Sequence, residues 1–254
     1  MPFDPDTKIG GASAKFPLTR HSAIVSMRSD DAEERERAWS AVVDSYWKPV
    51  YKYIRIQWSK SNEDAKDLTQ LFFTTAMQKD YFRSYTLAKG SFRNFLRTCL
   101  DGFLNNQNQA SKRLKRGGES ITVPLDFESA EGELQELPVS SGESTEDFFY
   151  KEWVRHLFAS AVSQLHQECD AAGKLRHFAM FEKYDLDQTA SAYDELAREF
   201  GLPVTTVTNH LAWTRRQFRR IVLDRIREVS GSEEEFRREA RDLLGGTRFE
   251  GAAR

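Results

Sequence analysis

Apolar side chains recur in steps of three and four along most of this chain. The first long run, Trp39, Val42, Val43, Tyr46, Trp47, Val50, Tyr51 and Ile54, is one face of a helix. Pro49 falls inside it and either kinks the helix or marks a break near Tyr46. A second helix opens near Asn62, whose side chain can cap it, with Glu63 and Asp64 suited to its first turn and Leu68, Leu71, Phe72, Ala76 and Met77 directed inward. A third carries Phe92, Phe95, Leu96, Cys99, Leu100, Phe103 and Leu104. Together these three stripes predict one helical core.

After Leu104 the apolar face gives way to "NNQNQASKRLKRGG", amides followed by Lys112, Arg113, Lys115 and Arg116. From there to Lys151 no Lys or Arg occurs, while Glu119, Asp126, Glu128, Glu131, Glu133, Glu136, Glu143, Glu146 and Asp147 stand among Ser, Gly and Pro. That composition predicts a linker kept extended by self-repulsion. Helical spacing resumes at Trp153, Leu157, Phe158, Ala161, Val162 and Leu165 and continues through Leu175, Phe178 and Phe181. Nothing in the pattern suggests a strand.

In "EFGLPVTTVTNHLAWTRRQFRR" the period breaks and restarts. Tyr193, Leu196, Ala197 and Phe200 form one buried side, Gly201 can take the positive φ that reverses the chain, and Val207, Leu211 and Phe218 form the next. This is helix-turn-helix spacing. The second helix of that motif enters the major groove with polar residues at its start, here Thr205, Thr206, Thr208 and Asn209, followed by Arg215, Arg216, Arg219 and Arg220 for phosphates. An αα-hairpin with a solvated basic face would share the spacing. Pro203 stands where a Ser or Thr cap is usual. Beyond Arg227 a short helix is expected, with Ser232 and Glu235 as a capping box and Gly245 as its stop.

Composition changes this picture in three ways. A chain of 254 residues is long enough for two small domains. A net charge of −2 argues against bulk electrostatic attraction to nucleic acid and confines any phosphate footprint to local basic elements. Cys99 and Cys169 lie in apolar helical patterns away from other metal-ligand types, and the five histidines are scattered, so no metal site, cofactor or catalytic constellation is proposed. The apolar runs are too short for a membrane span, and a cytoplasmic protein is expected.

Two further groups of polar residues invite binding roles. Aromatic and amide side chains suit unpaired bases, but the spacing of Phe92, Phe95 and Phe103 assigns those rings to the core and leaves the loop Thr86 to Ser91, with Asn105, Asn106 and Asn108, as contact groups. Asp64, Asp67 and Gln70 share an exposed face of the second helix without the further ligand a metal site needs, so a solvated or partner-binding face is the reading.

In order along the chain, "WKPVYKYIR", "NEDAKDLTQLFF", "GSFRNFL", the acidic linker and "ELAREFGLPVTTVTNHL" resemble a bacterial sigma factor of the extracytoplasmic-function group in the sigma-70 family, over about residues 16 to 229. The resemblance implies an all-α protein that is not an enzyme. Its expected parts are an extension at 1–30, a region 2-like bundle at 31–117, an acidic flexible linker at 118–147, a region 4-like helix-turn-helix domain at 148–229 and a helical extension at 230–254. It implies that Asp64, Asp67 and Gln70 dock on the β′ clamp helices of core RNA polymerase, with the β flap as a second contact. Lys89, Ser91, Arg93, Asn94, Arg97, Asn105 and Asn106 would capture flipped bases of the −10 element, and Lys112, Arg113, Lys115 and Arg116 would hold the upstream duplex. Thr205, Thr206, Thr208, Asn209, Arg215, Arg216 and Arg219 would read the −35 element. Leu71 stands where the family usually has Glu, and Gly102 lies near a position often held by Asn. An anti-sigma factor or kinase is an implied regulatory partner, and the tail after Ser230 is a candidate regulatory extension. The competing readings are a stand-alone helix-turn-helix regulator of duplex DNA and a helical scaffold that binds only proteins.

Overall fold

The computed structural model describes residues 22–111, 125–135, 144–187 and 192–245, and every regular element among them is helical. The short α1 (Ala23–Ser26) is capped by Ser22, whose Oγ accepts from the Ile24 N–H at 3.1 Å. Asp31 caps the long α2 (Ala32–Gln57) in the same way, with Glu33 and Glu34 against the positive end of its dipole. This helix runs through Pro49 without ending, and Val42, Tyr46, Val50 and Ile54 form its buried ridge.

The next helix, α3 (Asn62–Gln78), differs from expectation in two respects. Its cap is Ser61, which accepts from the Asp64 N–H at 3.1 Å, while Asn62 turns back to accept the Tyr51 hydroxyl at 2.8 Å. Its buried face is Ala65, Thr69, Phe72, Phe73 and Ala76, so Leu71 and Met77 are left 39% and 38% exposed. Thr69 can sit in the core because its hydroxyl donates to the Ala65 carbonyl at 2.7 Å, which satisfies the polar atom within the helix. Two short 3₁₀ turns, Tyr81–Ser84 and Leu87–Lys89, lead into α4 (Phe92–Ser111). Phe82 lies deep in the core, stacked on Trp39 at 5.1 Å and edge-on to Phe92 at 5.3 Å, and Phe72 meets Phe103 at 5.6 Å. Each such fully buried ring contributes about 2–3 kcal/mol. Phe92, Phe95 and Phe103 are thus core residues.

Part of the acidic segment is helical. Residues Phe127–Gln135 form α5, and its apolar stripe Phe127, Ala130 and Leu134 is buried against α2, with Phe127 5.5 Å from Trp47 and 5.1 Å from Tyr51. The carboxylates that predicted repulsion have partners there. Glu131 takes Arg55 at 2.5 Å and the Tyr51 hydroxyl at 2.5 Å, and Glu133 takes Lys48 and Lys52, each at 2.7 Å.

Ser144 caps α6 (Thr145–Ala171), which lies along α2 on one side and along α9 on the other. Between α2 and α6 the ammonium of Lys52, 2% exposed, reaches the fully enclosed carboxylate of Glu152 at 2.9 Å. The chain continues through α7 (Leu175–Phe181), a π-helical turn (Glu182–Leu186), α8 (Tyr193–Phe200), α9 (Val204–Glu228) and α10 (Glu233–Leu244). Phe218 of α9, half-buried, packs on the same core against Phe158 and Phe181, at 5.8 and 5.4 Å.

Candidate nucleic-acid interface

The turn between α8 and α9 follows from one residue. Gly201 adopts φ +62°, and the Leu202 N–H returns to the Ala197 carbonyl at 2.9 Å, a left-handed closure that a side chain at this position would strain. Arg176 adds a bond from its guanidinium to the Phe200 carbonyl at 2.6 Å, which suits a cation at a helix C-terminus. Pro203 then starts α9 with no side-chain cap, so the first amide groups of that helix are left for water or an anion.

On α9, Val207 and Leu211 are fully buried, which turns Thr205 and Asn209 outward with Thr206 and Thr208 half-buried beside them. Thr208 donates to the Thr205 carbonyl at 2.9 Å. Arg216 and Arg219 stand in solvent on the same helix. Arg215 does not. Its guanidinium grips Asp185 of the π-helical turn at 2.9 Å and lies 5.1 Å over Tyr184, which itself stacks on Tyr193 at 4.7 Å. The pair ties α9 to the π-helical turn that precedes α8. Arg220 is likewise held, by Glu168 at 2.5 Å and Asp224 at 3.2 Å.

Elsewhere on the same pair of helices, half-buried His177 of α7 and His210 of α9 stack at 3.7 Å, with Trp213 edge-on to His177 at 5.5 Å and the Lys174 ammonium 4.0 Å over the indole. Burial, and then the neighbouring positive charge, pushes both imidazoles toward their neutral forms. The sequence places these rings far apart, and only the packing of α7 on α9 brings them together.

The start of α4 has the opposite character. Gly90 takes φ +84°, and Ser91, buried, accepts the Asn94 N–H at 3.3 Å. Lys89 donates to the Ser84 carbonyl at 2.5 Å and lies 4.9 Å over Phe95. Three successive residues then each meet a carboxylate from the other half of the chain. The Phe92 N–H donates to Glu235 of α10 at 2.6 Å, Arg93 pairs with Glu239 at 2.7 Å, and the Asn94 amide donates to Glu146 of α6 at 2.7 Å. The Arg93 guanidinium also lies 4.5 Å over Tyr150 and 4.7 Å over Trp153.

Glu235, 2% exposed, further accepts the Tyr85 hydroxyl and the Gly231 N–H, each at 2.8 Å. Burial and this carboxylate push the Tyr85 hydroxyl well above the ordinary tyrosine range. Farther along α4, Arg97 is tied to Asp101 at 2.9 Å, whereas Asn105 and Asn106 are exposed. Lys112, Arg113, Lys115 and Arg116 lie outside the described residues.

Asp64 and Asp67 of α3 are exposed and Gln70 is half-buried, with Leu71 adding apolar surface beside them. Between α2, α6 and α9 a groove of about 670 Å³ is lined by Asp44, Trp47, His156, Gln164 and Arg225. There the His156 imidazole donates to the Asp44 carbonyl at 2.6 Å, and burial pushes its pKa down to about 4.

Cys99 is half-buried, and burial raises its thiol to about 11, the reverse of what a reactive thiolate needs. Among the described residues no three His, Cys, Asp or Glu side chains gather as metal ligands, and no helix is long and apolar enough to cross a membrane. No protein-family model, curated protein or solved structure matches this chain.

Proposed function

We propose that this chain is a sigma factor: a non-catalytic subunit that binds core RNA polymerase, recognises paired promoter elements and assists strand opening. The observation that carries the reading is the face of α9, where Thr205, Asn209, Arg216 and Arg219 are presented to solvent directly after an uncapped helix start. Groups that donate to base edges and groups that neutralise phosphates lie there on one helix, as major-groove recognition requires.

The remaining assignments follow from the same proposal. Asp64, Asp67 and Gln70 on α3 form the polymerase contact, a polar stripe with Leu71 as its apolar complement. The exposed amides Asn105 and Asn106, together with the start of α4, receive unpaired bases, and the protein works in the cytoplasm on nucleoid DNA. The division into two reading units and the role of the acidic segment belong to this proposal as well.

Run-off transcription with core polymerase, with and without the protein, on a fragmented genomic template tests it. Discrete new transcripts with paired upstream elements are expected. Duplex binding without a polymerase complex or new transcripts would instead make the protein a stand-alone helix-turn-helix regulator, a reading that rests on α8 and α9 alone.

A further inference from the structure

The start of α4 is already occupied. Phe92, Arg93 and Asn94 are held by Glu235, Glu239 and Glu146, three acids that come from two distant segments and converge on one turn of helix. Each contact is of a type that a nucleic acid would make: an anion on the helix N-terminal amide, an anion on a guanidinium, and an acceptor on a side-chain amide. Tyr150 and Trp153 complete the likeness by stacking on the Arg93 guanidinium at 4.5 and 4.7 Å, as bases stack on arginine.

The hold of α10 on this end is largely polar. Of its side chains, Glu235, Phe236 and Glu239 are buried, with Phe236 4.0 Å from the Arg227 guanidinium of α9, while Ala240, Leu243 and Leu244 are only partly buried against the core. Hydrogen-bonded carboxylates can be replaced by other anions without loss of a large apolar interface.

We infer that α10, with Glu146 of α6, acts as an internal mimic of nucleic acid that keeps the α4 face closed, and that single-stranded DNA engages this face only after displacing Glu239 and Glu146. The inference rests on the proposed role of α4 in strand capture and adds its regulation. Glu235 has a different part, because it caps the helix and positions α10 through the Gly231 amide. A methyl group at Gly231 would collide with the Tyr85 ring, so Gly231→Ala should also loosen α10 while leaving every acid in place.

The test compares the full chain with Glu239→Gln, Glu146→Gln, their combination and Gly231→Ala. Its readouts are anisotropy of a labelled mixed-sequence single-stranded oligonucleotide, amide exchange over residues 92–97, and capture of core RNA polymerase. The double substitution is expected to bind the oligonucleotide about tenfold more tightly at low salt, since two charge-assisted contacts are freed. Gly231→Ala should follow in the same direction, and Arg93→Gln added to the double variant should return affinity to the starting level.

Glu234→Gln, the same charge change at an exposed position of α10, should leave affinity unchanged. A gain as large from Glu234→Gln, or faster exchange over 92–97 with no gain in affinity while polymerase is still captured, would overturn the inference and leave the sigma-factor reading standing. Absence of both DNA binding and polymerase capture in every variant would overturn both.

Discussion

The helices that begin at Phe92 and Val204 present related groups, on α4 at the first turn and on α9 along one face from Thr205 to Arg216, and treat them in opposite ways. At α4 the leading amide, the arginine and the asparagine are all matched by carboxylates, and the arginine is enclosed by two aromatic rings. At α9 the start has no side-chain cap, and Thr205, Asn209 and Arg216 face solvent. Residue type alone does not distinguish a surface open to a ligand from one filled by the chain itself. The difference is made by tertiary partners: α6 and α10 cover the first helix end, and nothing described covers the second.

The largest effect on this contrast is expected at the seam that holds α6 on α2. Lys52→Met leaves the Glu152 carboxylate inside the protein with only Arg155 beside it, and should cost about 3 kcal/mol in urea unfolding. The same variant should speed amide exchange at the first turn of α4 while leaving α8 and α9 protected, which would weaken the closed end and spare the open one.

Acid should act next. The half-buried His156 ring has its pKa depressed to about 4 from 6.5, so it is neutral in the fold and the unfolded chain takes up the proton first. Its contribution is therefore full above pH 6.5 and is lost as pH falls toward 4. Between pH 6.5 and 4.5 the loss from this ring should be about 2 kcal/mol, the part of the full conversion that falls within that window. Asp44, whose carboxyl is raised by burial, opposes part of it. Glu131, held down to about 2 by Arg55, adds its own loss only below about pH 4.5. Denaturation across that window should flatten in His156→Gln if the assignment holds.

Gly201→Ala should cost about 1 kcal/mol, because the residue must keep a left-handed conformation even though space is open around it. Its effect should be confined to the α8 and α9 side of the contrast. The smallest change in stability, within about 0.5 kcal/mol, is expected for Thr205→Ala and Asn209→Ala on the exposed face. These should nonetheless reduce selective duplex binding, whereas Arg219→Gln should weaken all sequences alike and lower the salt dependence.

Much of the open end was legible in advance, since a period of 3.6 residues interrupted by Gly201 is a local signal and Val207 and Leu211 needed no distant partner to declare their face. The closed end was not. Glu235 read as the acid of a local capping box with Ser232, and nothing marked Glu239, because a buried carboxylate has no signature until its donors, more than 140 residues away, are in place. Acidic density hid α5 in the same way, because charge counting treats Glu131 and Glu133 as repelling each other while Arg55, Lys48 and Lys52 wait on α2. Leu71 was misread because Thr69 can enter a core by bonding to its own helix.

The Phe92 amide and the carboxylate that caps it are separated by 143 positions. On the ribosome α4 emerges well before α10, so its first turn lacks that acceptor and Arg93 lacks Glu239 until nearly the whole described chain has been made. Every newly synthesised copy therefore passes through an interval with this end of α4 uncovered, and the closing step waits for the synthesis of α10.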